Sequence, residues 1–154
     1  MRFIMLENLQ DDIKTVVDEW KKDSVVNSLE PSSELIRIPV LHSKYGNYLL
    51  HHSMMSERTS FEYDRMKKSK WRYYSGKMSQ EELQEKGLEP FQFILKSDIN
   101  VFIDGDEELT KILEKRMAHK EAAKYCENVM KELHSRTFQL KSLIEWEKFI
   151  NGQS

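Results

Sequence analysis

The chain has 154 residues, 39% hydrophobic and 32% charged, a formal net charge of -2 and a single cysteine. Its length suits one domain. A mean hydropathy of -0.68 is polar for a compact monomer but ordinary for long helices, whose surface is large relative to their core. Five glycines and three prolines argue against a turn-rich all-β design. The lone Cys126 excludes an internal disulfide and points to a reducing, cytoplasmic compartment. The apolar run from Phe3 to Leu6 is too short for a signal h-region or a membrane span.

Residues 5–20 predict a short amphipathic helix, because Leu6, Leu9, Ile13, Val16, Val17 and Trp20 recur at helical spacing. Asp23, Ser24, Asn27 and Glu30-Pro31-Ser32-Ser33 mark a linker. Pro39 fits the first turn of a helix running onward, and Leu41, Tyr45, Tyr48, Leu49, His52, Met55 and Met66 share much of one face. One long helix from there to Tyr74 is expected, stopped at Ser75-Gly76. Residues 77–90 are polar and predict a mobile connection or a short helix. Between 91 and 103, Phe91, Phe93 and Leu95 alternate, as do Ile99, Val101 and Ile103, which suits a strand or short β-hairpin. Asp104-Gly105-Asp106 offers an N-cap with Glu107 and Glu108 in the first turn, so a helix should follow, to Ile150. Its C-terminal half carries two apolar rows. One is Cys126, Val129, Leu133, Leu140 and Ile144; the other is Met130, Phe138, Trp146 and Phe149. Two rows exceed what a surface helix needs, so one is expected to face the protomer and the other a neighbouring subunit.

The most informative stretch is Arg65 to Lys77. Six basic residues (Arg65, Lys67, Lys68, Lys70, Arg72, Lys77) fall there with no acid, and Trp71, Tyr73 and Tyr74 are threaded among them. An acidic chain has gathered positive charge in one place. Ammonium and guanidinium groups neutralise phosphates and flat rings stack on unpaired bases, the chemistry of single-stranded nucleic acid binding. A basic run is also what a solvated helix C-terminus shows, and at least one of the two tyrosines should anchor the helix, since every ring cannot face a ligand.

Other chemistry finds little support. Adjacent His51 and His52 diverge by about 100° on a helix, and His42, His119 and His134 lack partners at zinc spacing. Asp98, Asn100, Asp104 and Asp106 miss the calcium-loop spacing. Gly76-Lys77 has no preceding glycine at phosphate-loop spacing. Cys126 lies in an apolar row, as a core thiol does. No metal, cofactor or catalytic residue is expected.

The order of several short motifs resembles the UvsY recombination mediators of T-even-like bacteriophages. Leu6-Glu7-Asn8-Leu9-Gln10 is similar to the family's opening, which makes Met5 an alternative start to Met1. Ser43-Lys44-Tyr45 matches a motif of its long helix; Lys68, Lys70 and Tyr73-Tyr74-Ser75-Gly76 fall on its Lys-x-Arg-x-x-Tyr-Tyr-Ser-Gly string. Cys126, Ser135-Arg136, Phe138, Lys141, Phe149 and Gly152 fit its C-terminal pattern, while residues from Lys77 to about Lys120 match loosely.

The resemblance implies a non-enzymatic protein of the infected host's cytoplasm. It would bind single-stranded DNA and help a RecA-like recombinase (UvsX type) replace the phage single-strand binding protein. It would act as a closed ring, a hexamer or heptamer, held largely through C-terminal regions. The basic pair implied for DNA falls on Lys68 and Lys70; Lys70 replaces an arginine, and Arg72 stands where the family example has an aspartate. The expected fold is thus mainly α: an elongated helical protomer with a long central helix, a C-terminal oligomerisation helix and room for a short β-hairpin near 91–103. Residues 1–76 would form an N-terminal DNA-binding region, 77–104 a connection and 105–154 the oligomerisation region, one domain overall. Expected DNA contacts are Lys67, Lys68, Lys70, Trp71, Arg72, Tyr73 and Tyr74. Expected subunit contacts are Val129, Leu133, Phe138, Leu140, Ile144, Trp146 and Phe149. A competing reading is a helical scaffold that bridges protein partners through the C-terminal helix, its basic cluster docking an acidic tail.

Overall fold

A computed structural model describes the backbone of residues 2–91 and 94–152, and the side chains of 13–91 and 94–152. Five α-helices follow one another: α1 (Arg2–Asp23), α2 (Pro31–Tyr74), α3 (Gln80–Glu85), α4 (Ile99–Asp104) and α5 (Glu107–Ile150), with a 3-10 turn at Lys96–Asp98 before α4. The described residues contain no strand. No helix among them is long and apolar enough to cross a membrane.

Local sequence sets most of the helix ends. Pro31, whose missing N–H costs nothing at the first helical position, opens α2 eight residues before the proline expected to do so. Pro39 lies inside the helix on its exposed side. The linker therefore shortens to residues 24–30, braced by the Asn27 side chain accepting from the Leu29 amide and by Glu34 accepting from the Asn27 amide. Gly76 ends α2 as expected. Its φ of +69° lets the Lys77 amide reach the Arg72 carbonyl and its own amide the Tyr73 carbonyl, a Schellman ending that favours glycine. α3 is the short helix foreseen as one option for 77–90; Ser79 and Glu82 form a reciprocal capping box. Asp106 caps α5 by accepting from the Glu108 and Leu109 amides.

The hairpin expected near 91–103 is absent from the described residues; Gln92 and Phe93 lie outside them. The alternation of Ile99, Val101 and Ile103 misled because positions four apart also share a helix face. Ile99 and Ile103 are buried on one side of α4, while Val101 is exposed.

The chain groups into two compact units that cut across the serial division at 76 and 104. One comprises residues 1–54 and 118–154, the other 55–117. In the first, Val16 and Trp20 of α1, Ile38, Leu41 and Tyr45 of α2, and Cys126, Val129, Leu133 and Leu140 of α5 form one apolar core. Leu6 and Leu9 of the expected α1 face lie outside the described side chains. The Tyr45 ring meets Trp20 edge-on at 5.3 Å, and its hydroxyl donates to Asp23. Lys44 bridges Glu19 and Asp23 at the core's edge. Burial pushes the Cys126 thiol up to about 11, which suits a packing role rather than a nucleophile. In the second unit, Ile99, Ile103 and Leu109 are buried among Tyr63, Met66, Tyr74 and Ile94.

Candidate nucleic-acid interface

The last three turns of α2 carry the basic aromatic segment. Successive residues on a helix point about 100° apart, so its cations cannot all face one way. Those on the side packed against α4, α5 and the 79–91 segment are held by protein partners. Lys70 is drawn inward, its ammonium 3.0 Å from Asp106 and 2.6 Å from Glu108. Burial works against its charge, but the bonds to Glu108 and Asp106 outweigh it and raise its pKa above the ordinary 10.5. Asp106 also accepts from the Tyr74 hydroxyl at 2.7 Å. Burial opposes the Asp106 carboxylate too. The bonds from Tyr74, the Leu109 amide and Lys70 prevail and hold its pKa below 3.8. Burial, then the bond to Asp106, push the Tyr74 hydroxyl up to about 12.

Two further members are tethered nearer the surface. Arg72 makes a two-pronged bond to Glu82, at 2.8 and 2.6 Å, and that guanidinium, helped by the Ser79 amide, lowers the Glu82 pKa. The Tyr73 hydroxyl donates to the Glu89 carbonyl. Both tyrosine rings pack on Phe91, and Tyr74 also on Phe102. Tyr73 and Tyr74 therefore anchor the helix end, which is the role expected of at least one of them.

The adjoining arc of the helix, which carries Lys67, Trp71 and Lys68, stays open. Lys67 and Lys68 are exposed, with the Lys67 ammonium 5.8 Å from the Tyr63 ring. Together with Trp71, Asp64, Asn100 and Ile103 they line a shallow groove. Trp71 is 40% exposed. On its other flank the Lys77 ammonium sits 4.3 Å from the centre of the indole. There Trp71 and Lys77 border a second cavity with Tyr74, Phe91 and Lys96. Trp71 thus stands between two pairs of lysines, Lys67 with Lys68 and Lys77 with Lys96. Phe91 and Lys96 were not among the expected contacts; they reach the site because the chain returns after α3. Arg58, Arg65 and Lys115 border a separate groove with Glu62.

The residues expected at a subunit interface divide in the same manner. Val129, Leu133 and Leu140 are buried in the protomer's own core. Ile144 is half-buried. Phe138, Trp146 and Phe149 are exposed at 59%, 58% and 75%, with Trp146 and Phe149 stacked on each other at 5.8 Å and His134 edge-on to Phe138.

A contact that sequence spacing did not suggest joins His52 and His119, both buried, with their Nδ1 atoms 3.1 Å apart. They come from α2 and α5, 67 positions apart. No group of three or more metal-ligating side chains occurs among the described residues.

Residues 19–153 match the protein family described as recombination, repair and single-stranded-DNA-binding protein UvsY. The chain belongs to the UvsY family. The match spans both compact units and the whole basic aromatic segment; the Leu6–Gln10 motif precedes it. No curated protein and no solved structure matches the chain. The family description makes single-stranded DNA the partner, and the open arc of α2 carries exposed lysines beside an accessible indole. Of the basic pair implied by the family motif, Lys68 is exposed while Lys70 is held by two carboxylates.

Proposed function

We propose that this chain is a recombination mediator that binds single-stranded DNA as a homo-oligomer. It promotes loading of a RecA-like recombinase onto DNA covered by single-strand binding protein, in phage recombination, repair and recombination-dependent replication in the host cytoplasm. It acts by binding rather than by catalysis. The observation that carries this reading is the open arc on which Lys67 and Lys68 flank Trp71 while Lys70 and Arg72 on either side of it are paired. Lys67 and Lys68 hold phosphates; Lys70 and Arg72 serve chiefly to set the helix end in place. Phe138, Trp146 and Phe149 supply the contact between copies that closes a ring. One protomer offers few phosphate contacts, and a ring multiplies them through effective concentration.

The test is anisotropy of a labelled single strand at several salt concentrations, with duplex as competitor. Salt-sensitive binding that prefers the single strand is expected. The joint change Lys67→Ala with Lys68→Ala should flatten the logarithmic salt slope by about 0.7 per lost phosphate contact. An unchanged slope removes these lysines from the site. In sizing experiments, Trp146→Ala with Phe149→Ala should give smaller particles.

A second reading has its own observation: the same exposed rings on α5 suit a scaffold that bridges other proteins. Such a scaffold would ignore oligonucleotide at low salt.

A further inference from the structure

The cavity beside Trp71 has a composition that phosphate binding alone does not explain. It measures about 440 Å³, within the range of small-ligand pockets. Trp71, Tyr74, Phe91 and Ile99 line it together with Lys77 and Lys96. Tyr74 and Phe91 meet edge-on at 4.9 Å, and the Tyr74 hydroxyl is tied to Asp106, so this wall is fixed before any ligand arrives. The Schellman turn at Gly76 returns Lys77 over the indole. Flat apolar walls with two cations at the rim are complementary to a planar ring that carries an anion one bond system away.

We propose that this cavity is a base pocket. It takes one unstacked nucleobase of the bound strand against Trp71 and Phe91, displacing the Lys77 ammonium from over the indole, and Lys77 and Lys96 receive the adjoining phosphates. The inference rests on the single-strand reading above and adds to it a subsite of different chemistry, one that reads the presence of a base rather than backbone charge. Stacking tolerates any base because each has a π-face, so the pocket gives preference for unpaired strands without a sequence code. A duplex, whose bases are already stacked and paired, cannot fill it without opening.

The experiment titrates the full chain with an oligothymidylate and with an abasic strand of the same length, following anisotropy and tryptophan emission together. The base pocket predicts that the abasic strand binds about tenfold more weakly. It also predicts that the thymidylate quenches emission in the wild type, and that this quench is lost in Trp71→Leu, whereas Trp20 and Trp146 keep their signal. Lys96→Ala, an exposed position at the start of the 3-10 turn, should lower the salt slope with thermal melting unchanged, and provides a readout should Trp71→Leu melt early. Equal binding of both strands with no quench, while Lys67 and Lys68 still govern the slope, overturns the pocket and leaves the mediator reading standing. If neither strand binds at low salt, both fail.

Discussion

The two compact units are held together by different means, and the difference decides which residues are left for DNA. Among the described residues the first buries nine apolar side chains in one core, with its ion pairs Lys44–Glu19 and Lys44–Asp23 at the margin. The second has three buried residues in its apolar cluster among those described and relies on a polar network around Asp106, which at once caps α5, accepts from Tyr74 and pairs with Lys70. A unit with so small a core needs its cations and tyrosines for stability. What is left over on the same helix, Lys67, Lys68 and Trp71, is what a ligand can use.

This contrast can be broken most strongly in the first unit. Leu133, fully buried, should lose about 2–5 kcal/mol on replacement by alanine, measured as a lowered denaturant midpoint with an unchanged slope. In the second unit Asp106→Ala should cost about 2–3 kcal/mol, from a lost cap and from a buried hydrogen-bonded partner removed beside Lys70 and Tyr74. The same residue gives a pH signature. Because its folded-state pKa lies below 3.8, its contribution is fully present above that value and is lost as pH falls through the lower folded value. Asp106→Asn should keep the cap yet abolish this acid sensitivity in melting curves. Lys70 runs the other way. Its pKa is raised above 10.5, so its contribution is present below that pH and is lost as pH rises through the folded value.

Smaller effects sharpen the division within the helix. Arg72→Ala removes a bidentate but half-exposed pair that salt screens; chemical denaturation should show a small loss in low salt and almost none in high salt. Lys70→Ala should lower the melting temperature while leaving the salt slope of DNA binding nearly intact. Lys68→Ala should do the reverse. A Lys70→Ala variant that melts normally but binds DNA with a flattened slope would return Lys70 to the DNA face.

Helical periodicity and turn chemistry were readable from the residues themselves. Gly76 stops α2 and Asp106 starts α5, because a left-handed ending favours glycine and an N-cap favours a short acceptor. The core row Cys126, Val129, Leu133 and Leu140 followed from spacing. Two errors share one cause, competition between local rules. Pro31 and Pro39 are both good openers, and only packing placed the start at the earlier one. Ile99 and Ile103 satisfy both the strand and the helix period, and burial against Tyr63 and Met66 favoured the helix.

The sequence by itself determined a mainly helical chain, the ends of its last long helix and a concentration of positive charge beside aromatic rings. Local propensities and spacing act over a few residues, and these features need no more. Only the tertiary structure decided which of those charges are available. Lys68 and Lys70 are two positions apart and chemically identical, yet one faces water and the other meets Asp106 and Glu108. The reason is a return of the chain some 36 residues later, a distance over which spacing carries no information and packing carries all of it.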